Sequence, residues 1–244
     1  MKAMILAAGR GERMRPLTDE LPKPLLPAGG KPLIVWHLER LARAGIRDIV
    51  VNHAWLGQRL EDALGDGSAF GVRIAWSAER EALETAGGIA QALPLLTAGL
   101  SSLRAAAPFL VVNGDTWSDF DYGRAHTIAL QMRGLASWSV LVPNPPHHPV
   151  GDFGLADGRL RLVPKDAATP PRFTYAGIGL FTPAMFDAIP AGGRSPLRPW
   201  LEREIAAGRA GGEYHAGSWF DIGTPQRLAE LDRLIANGPA HAED

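Results

Sequence analysis

The chain has 244 residues, with 25 Lys and Arg against 26 Asp and Glu, so its formal charge is −1 with seven neutral histidines. This balance argues against a protein that coats nucleic acid, and 46% hydrophobic with 21% charged residues is typical of a folded globular chain. The absence of cysteine excludes disulfides, thiolate metal sites and a cysteine nucleophile.

Met1 is followed by one lysine and then by a short apolar run that ends before Gly9. A secretory signal peptide is the competing interpretation, but it needs about 7–15 apolar residues, and a bilayer span needs about 20. We therefore expect a buried first strand, a cytoplasmic protein and no membrane association.

Strand and helix patterns alternate through the first half of the chain. Apolar residues recur on one helix face after Pro32, and the pattern ends at Gly45. This alternation predicts parallel βαβ units. The predicted strands are residues 3–7, 48–51, 72–76 and 109–112, and the predicted helices are residues 33–44, 56–64 and 88–96.

The second half has shorter strands, and its proline-rich segment 143–149 predicts a loop. Asp157 and Gly158 predict a hairpin turn, and Ser195 is the expected N-cap of a helix. We see no internal repeat that would add a β-helix. Residues 97–107 are typical of a surface insertion. The predicted strands are residues 137–142, 153–155, 160–163 and 173–181, and the predicted helices are residues 195–206 and 226–235.

The first strand runs into a glycine-rich loop that carries Gly9 and Gly11, with Arg10, Arg13 and Lys23 nearby. Glycines let backbone N–H groups approach an anion, and fixed cations add charge, so the combination suits a polyphosphate. The loop is neither a dinucleotide-binding nor a Walker A sequence. For a bare Gly-x-Gly, a tight turn with solvated arginines is the alternative.

Two carboxylates, Asp115 and Asp221, each follow an apolar segment. Ligands bind at the carboxyl ends of parallel strands, and Mg²⁺ is usually held by one or two carboxylates plus substrate phosphates. The pair therefore predicts a magnesium site, although either aspartate alone would be more typical of a turn cap.

The string Leu-Ala-Ala-Gly-x-Gly-x-Arg-Met-x-Pro-Leu-Thr, followed by Pro-Lys-Pro-Leu at residues 22–25, resembles the sugar-nucleotidyltransferase family. Asn113-Gly114-Asp115, Lys165 and residues 219–225 follow in family order, so the resemblance covers the whole chain. It implies transfer of a nucleotidyl group to a sugar 1-phosphate with release of pyrophosphate. The implied fold is a single α/β domain over residues 1–244, with a mixed, mainly parallel Rossmann-like (GT-A-like) sheet and helices on both faces. Residues 1–135 would be mainly nucleotide-binding and residues 136–236 mainly sugar-binding.

Within that family, residues 52–57, 83–85 and 146–149 most resemble the N-acetylmuramate 1-phosphate uridylyltransferases of bacterial cell-wall recycling. UTP, N-acetylmuramate 1-phosphate and Mg²⁺ are then the expected ligands, with no obligate protein partner. The alternatives are mannose 1-phosphate with GTP, glucose 1-phosphate with dTTP or UTP, and a non-catalytic regulatory subunit. The sequence departs from the family pattern at Ala86, where a third glycine is expected.

The resemblance also assigns roles to individual residues. Lys165 would hold the sugar phosphate, although an ion pair with Asp166 is the alternative. His147 and His148 lie in the proline-rich loop and are interpreted as part of a lid or of the sugar pocket. The implied catalytic residues are Arg13, Lys23 and Lys165. The implied nucleotide-binding residues are Ala8, Gly9, Gly11, Glu12, Arg13, Lys23, Glu84, Gly88 and Asn113. The implied sugar-binding residues are Asn144, Gly151, Gly154, Lys165, Tyr175 and Gly177.

Overall fold

A computed structural model describes residues 1–101, 106–164 and 171–237. The strands are β1 (Lys2–Leu6), β2 (Pro27–Ala28), β3 (Lys31–Pro32), β4 (Asp48–His53), β5 (Arg73–Ala78), β6 (Phe109–Asn113), β7 (Thr116–Ser118), β8 (Ser137–Val142), β9 (Phe153–Ala156), β10 (Arg159–Arg161), β11 (Arg172–Phe181), β12 (Ala210–Tyr214) and β13 (Trp219–Asp221). The helices are α1 (Leu17–Glu20), α2 (Leu33–Arg43), α3 (Gly57–Leu64), α4 (Glu84–Thr97), α5 (Arg124–Gln131), α6 (Arg198–Ala206) and α7 (Pro225–Asn237).

A nine-stranded sheet has the order β5-β4-β1-β6-β11-β8-β12-β10-β9. Strands β5, β4, β1 and β6 are parallel, and Ile5 of β1 pairs with Val51 on one side and Val112 on the other. Beyond β6 the neighbours are antiparallel, except for the parallel pair β8 and β12. The expected mixed α/β sheet is confirmed. Its antiparallel part is formed by strands of the second half and by β6, and among these, in the described chain, only β9 and β10 are joined by a short hairpin turn.

Both faces of the sheet are covered by helices, as expected. Successive residues of a strand point to opposite faces, so Ile5 and Met4 enter different cores. Ile5 packs in a cluster with apolar residues of α2, α3 and α5. Met4 packs in a second cluster with residues of α4 and α6. Strands β4, β1 and β6 are therefore buried on both faces, which explains their largely apolar sequences, whereas the edge strand β5 is only partly buried.

A separate two-stranded antiparallel ribbon is formed by β7 and β13. Trp117 of the ribbon joins a third apolar cluster with Met14 of the glycine-rich loop, Trp36 of α2 and Leu231 of α7. This cluster packs the last helix against the loop that follows β1. The fold thus brings the last helix next to the loop that follows the carboxyl end of the central strand β1.

Several elements match the sequence predictions closely. Strand β8 has the predicted bounds, and the predicted hairpin turn is confirmed because Asp157 and Gly158 both have positive φ (52° and 67°). The prediction of Ser195 as an N-cap is wrong. Helix α6 begins at Arg198, and the Ser195 carbonyl instead accepts hydrogen bonds from the first turn of α4. Strands β2, β3, β7, β12 and β13 and helices α1 and α5 were not predicted, and part of the predicted insertion 97–107 lies outside the described residues.

Strand β6 of the predicted nucleotide half pairs directly with β11 of the predicted sugar half. The division into these halves stays a prediction. Among the helices of the described chain, none is long and apolar enough to cross a membrane.

Candidate active site

The glycine-rich loop turns sharply at Gly11, which has φ of 70°. A Cβ at this position would lie 3.0 Å from Thr18 Cγ2 and 3.4 Å from Lys23 Cβ, so both the backbone angle and the space favour glycine. The Thr18 hydroxyl donates to the Gly11 carbonyl at 2.9 Å, and the Met14 N–H donates to the same carbonyl at 2.8 Å. The loop therefore has one defined shape with its backbone close to the cavity beside it.

A first cavity of about 400 Å³ opens beside this loop and lies at the carboxyl ends of β1 and β6. It brings together most of the residues predicted to bind nucleotide, together with Asp115. Gly88 lies behind the cavity, where a Cβ would be 2.8 Å from Asn52 Nδ2. The residues predicted for nucleotide binding that line it are Ala8, Gly9, Gly11, Glu12, Arg13, Lys23, Glu84 and Asn113.

Lys23 lies in a short 3₁₀ turn, Lys23–Leu25, rather than in an extended proline-rich segment. Its side chain is only 9% exposed, and Nζ lies 2.5 Å from Asp115 Oδ2. A buried ammonium needs a partner, and Asp115 supplies it from a position 92 residues later in the sequence. This excludes an exposed, solvated lysine and places a fixed cation on the cavity wall.

The two predicted metal ligands lie on or beside the β7/β13 ribbon. Asp221 pairs in register with Thr116, and the Ile222 N–H donates to the Asp115 carbonyl at 3.0 Å. Asp115 follows a strand of the parallel sheet, as expected. Asp221 does not, because it ends a strand of the separate ribbon. Antiparallel pairing, rather than the edge of one parallel sheet, brings the two residues together.

Asp221 already has cationic and polar neighbours. Arg227 Nη1 donates to Asp221 Oδ2 at 2.7 Å and lies 2.6 Å from His147 Nε2, which is 3.3 Å from the same carboxylate oxygen. A guanidinium cannot accept a hydrogen bond, so His147 Nε2 is the acceptor in its contact with Arg227. Arg227 therefore joins the proline-rich loop to the predicted metal ligand.

Asp115 and Asp221 fit the donor chemistry of Mg²⁺, which commonly takes one or two carboxylates and completes its shell with water and substrate phosphates. Both line a second cavity next to the first. Within residues 1–101, 106–164 and 171–237 there is no group of three or more His, Asp or Glu side chains suited to a metal ion. The described residues therefore do not form a complete metal site by themselves, and the role of the two aspartates in holding Mg²⁺ stays a prediction.

The second cavity has a volume of about 340 Å³ and shares Asn113 and Asp115 with the first. Gly177, with φ of 72°, makes room for Asn113, since a Cβ there would lie 2.7 Å from Asn113 Nδ2. Burial raises the pKa of the Tyr175 hydroxyl. Of the residues predicted for the sugar, Tyr175 and Gly177 line this cavity, and His147, His148, Thr174 and Trp219 join them.

Asn144 and Gly151 shape the loop that borders the second cavity. The Asn144 side chain accepts from Thr174 Oγ1 at 2.9 Å and donates to the carbonyls of Pro149 and Arg172. A Cβ at Gly151 would lie 2.5 Å from Asn144 Oδ1. Both residues thus have a structural explanation, and their contact with a sugar stays a prediction.

Of two further residues predicted to bind the sugar, one lies within the sheet and the other lies outside the described residues. Gly154 lies within β9, paired with Arg161 and Arg172. Lys165 lies outside the described residues. Asp152, in the same loop, has its carboxylate bound to the Tyr175 N–H at 2.9 Å and close to Arg198 and His148.

A buried network beneath the first cavity was missed by the sequence analysis. Asn52 accepts from the Ala7 N–H at 2.8 Å and donates to Glu79 Oε1 at 2.6 Å, and Glu79 Oε2 accepts from the Leu83 N–H at 2.9 Å. Burial raises the pKa of the Glu79 carboxyl, although the bonds from Leu83 and Asn52 oppose that shift. The network ties the start of the glycine-rich loop to the segment that precedes α4.

Glu84 is the first residue of α4 and has φ of 61°, which is unusual for a residue other than glycine. Its carboxylate pairs with Arg194 at 2.8 Å. The N–H groups of Ala86 and Gly87 both donate to the Ser195 carbonyl at 3.0 Å. Ala86 is fully buried in the second core, so the methyl group at the position of the expected third glycine is accommodated.

His37 supports the Asp115 segment from behind. Its Nε2 lies 2.8 Å from the Thr116 carbonyl, and its Nδ1 lies 2.8 Å from the Tyr122 hydroxyl. Since a carbonyl only accepts, Nε2 carries the proton and Nδ1 accepts from Tyr122. Burial lowers the pKa of His37 to about 4, so the ring is neutral at pH 7.

Comparison with known proteins gives a consistent result. The family model described as "Nucleotidyl transferase" matches residues 2–238. The chain is 52% identical over 241 residues to the N-acetylmuramate alpha-1-phosphate uridylyltransferase of Neisseria meningitidis serogroup B, covering 96% of this chain and 98% of that protein. It is 34% identical over 239 residues to mannose-1-phosphate guanyltransferase beta-B of Xenopus laevis, covering 93% of this chain and 62% of that protein.

A solved structure, described as a putative glucose-1-phosphate thymidylyltransferase from Bacillus anthracis, superposes with a TM-score of 0.81. The alignment covers 98% of this chain and 97% of that chain at 21% sequence identity. At this identity the likeness shows a shared fold.

Proposed function

The chain belongs to the nucleotidyl transferase family, and on that premise we propose that it transfers the uridylyl group of UTP to N-acetylmuramate 1-phosphate. The products are UDP-N-acetylmuramate and pyrophosphate. The observation that carries the proposal is the pair of cavities that meet at Asn113 and Asp115. One has a glycine-rich loop and cations suited to a triphosphate, and its neighbour has room for a sugar. A shared wall brings two substrates into contact, as group transfer between them requires.

In the proposed reaction, a phosphate oxygen of the sugar 1-phosphate attacks the α-phosphorus of UTP. A new phosphorus–oxygen bond forms, and the bond to the bridging oxygen of the leaving pyrophosphate breaks. The phosphate dianion is already a nucleophile, so no general base is required. The protein therefore contributes mainly positioning and neutralisation of charge.

Lys23 and Arg13 are the cations placed to neutralise charge in the first cavity. The buried Lys23 ammonium is fixed before the substrate arrives, so little reorganisation opposes its contact with phosphate. Lys165 would hold the attacking phosphate against repulsion from the triphosphate. Asp115 and Asp221 would hold Mg²⁺, which when bound neutralises charge on the phosphates of both substrates.

The second cavity supports an acidic sugar. N-acetylmuramate carries a lactyl carboxylate that glucose, mannose and N-acetylglucosamine lack. His147 and His148 line this cavity, and Arg227 contacts His147 at its edge. The carboxylate of Asp152, which would repel a lactyl group, is occupied by the Tyr175 N–H and by Arg198. The uridylyltransferase relative, which matches over nearly its full length, supports the same substrate.

The experiment is a matrix of nucleoside triphosphates against sugar 1-phosphates, with Mg²⁺, in which pyrophosphate release is measured. We expect the highest kcat/KM for UTP with N-acetylmuramate 1-phosphate. N-acetylglucosamine 1-phosphate is the matched control, because it differs only by the lactyl group. It should be at least ~10-fold poorer, since donors that recognise the carboxylate are then left unpaired.

Equal or faster turnover of mannose 1-phosphate with GTP would contradict this assignment and favour guanylyl transfer. No pyrophosphate from any pair, with folded protein, would favour a non-catalytic subunit. The proposal also places the enzyme in the cytoplasm, in cell-wall recycling.

A further inference from the structure

Trp55 lies in a short, tightly determined segment between β4 and α3. The next residue, Leu56, has φ of 52°, a left-handed conformation that costs a branched or bulky residue energy. Gly57 then starts α3, and a Cβ there would overlap the His53 ring. Strain of this kind persists where surrounding contacts fix the backbone, and here it presents Trp55 to the glycine-rich loop.

Trp55 contacts that loop on both sides of Gly11. Its indole N–H donates to the Thr18 carbonyl at 3.1 Å, and the Thr18 hydroxyl donates to the Gly11 carbonyl at 2.9 Å. On the other side, the Arg10 guanidinium lies over the indole ring, 3.9 Å from its centre. Arg10 also pairs with Glu12 at 2.7 Å. The outer surface of the loop is thus held by one aromatic side chain.

We propose that Trp55 is a positioning residue for the nucleotide, and that it acts by holding the glycine-rich loop in its binding shape from outside the cavity. This rests on the proposed function, because the loop is taken to bind the triphosphate. A loop ordered before binding loses less conformational entropy when the ligand arrives. The Trp55 contacts are directed at the loop, so its removal should affect the nucleotide and leave the sugar phosphate alone.

The first test needs no substrate. Amide hydrogen exchange of the free protein is followed in peptides covering residues 8–14, for wild type, Trp55→Phe and Trp55→Leu. Phe keeps a ring beneath Arg10 and loses the N–H, whereas Leu loses both contacts. We expect loop exchange about fivefold faster in Trp55→Phe and at least tenfold faster in Trp55→Leu, as loss of one or two weak contacts predicts. Unchanged loop exchange in both variants would overturn the proposal.

The second test is the division of kinetic effects between the two substrates. We expect KM for UTP to rise about fivefold in Trp55→Phe and tenfold or more in Trp55→Leu. KM for the sugar 1-phosphate should stay within twofold in both. Arg10→Met should reproduce part of the Trp55→Leu effect and add little to it in the double variant. Equal losses for both substrates would show a merely structural role and overturn the proposal.

Trp76 offers a matched control. It is a half-buried tryptophan on the neighbouring strand β5, and its indole N–H donates to the Gly65 carbonyl at 3.2 Å. Trp76→Phe should leave both loop exchange and KM for UTP unchanged, and a matching rise in both would overturn the proposal. If Trp55→Leu loosens the loop while the wild type transfers no nucleotide, the proposed function fails and the positioning role stands.

Discussion

The ion pair between Lys23 and Asp115 predicts that its two partners respond unequally to mutation. Lys23 is 9% exposed and Asp115 is 39% exposed. Asp115→Asn leaves a buried ammonium without its counter-ion, whereas Lys23→Met leaves a carboxylate that water can reach. Loss of a partner costs a buried polar group about 1–3 kcal/mol, and partial access of water near Asp115 favours the middle of this range.

A loss of about 2 kcal/mol corresponds to a fall of roughly 4–8 °C in Tm for a chain of this length. We therefore expect Asp115→Asn to lower Tm by this amount and Lys23→Met to change it by less than about 2 °C. Calorimetry without nucleotide measures the difference.

Activity should respond in both variants. Lys23→Met removes a charge-assisted phosphate contact of roughly 1.5–3 kcal/mol, so kcat/KM for UTP should fall about 10- to 150-fold. Asp115→Asn should lower turnover further, through its predicted metal role. Equal destabilisation by the two variants, together with unchanged UTP kinetics in Lys23→Met, would refute the reasoning.

Three more predictions follow from the site. Asp221→Asn should cut turnover by orders of magnitude at limiting Mg²⁺ with little change in Tm, because Arg227 keeps its contact with His147 Nε2; near-wild-type turnover would contradict a metal role. Gly177→Ala should lower kcat/KM by at least ~10-fold, because the added Cβ would displace Asn113. Gly192→Ala is the control: Gly192 also has a positive φ, 71°, but has open space around it, so this variant should keep activity. The pKa of His37 is about 4 in the folded protein, against an ordinary value of 6.5, so the unfolded chain binds the proton first as pH falls below 6.5. This group should therefore remove up to about 3 kcal/mol of stability between pH 6.5 and 4. Urea unfolding should show a weaker pH dependence in His37→Gln, and an unchanged one would contradict the shift.

Local sequence patterns predicted those strands and turns whose structure depends mainly on residues adjacent in the chain. β8 is a mostly apolar segment that ends at Val142, directly before Pro143, and the hairpin at Asp157 and Gly158 needs residues that accept positive φ. Strand β12 could not be predicted this way, because its sequence Ala-Gly-Gly-Glu-Tyr has no apolar alternation. Its glycines are required by neighbours, since a Cβ at Gly211 would overlap the Trp138 ring.

The site was predictable in its residue types and less so in its contacts. The glycine-rich loop and the two aspartates were recognisable from short strings. The pairing of Lys23 with Asp115 and of Arg227 with Asp221 depends on how β6, β7 and β13 meet, which no local pattern encodes. The same holds for Asn52 and Glu79, whose polar contacts become visible only after β4 and β5 pair.

The position of the β7/β13 ribbon in the sequence determines when the candidate active site can form while the chain is being synthesised. Every strand of the nine-stranded sheet precedes residue 215, whereas Asp221 and the helix that packs beneath the glycine-rich loop come afterwards. A nascent chain that has emerged only as far as β12 holds Lys23 and Asp115 but lacks the second carboxylate. The nine-stranded sheet can therefore be complete in sequence before the predicted metal site is, and a chain interrupted between them would also lack the helix that covers the third apolar cluster.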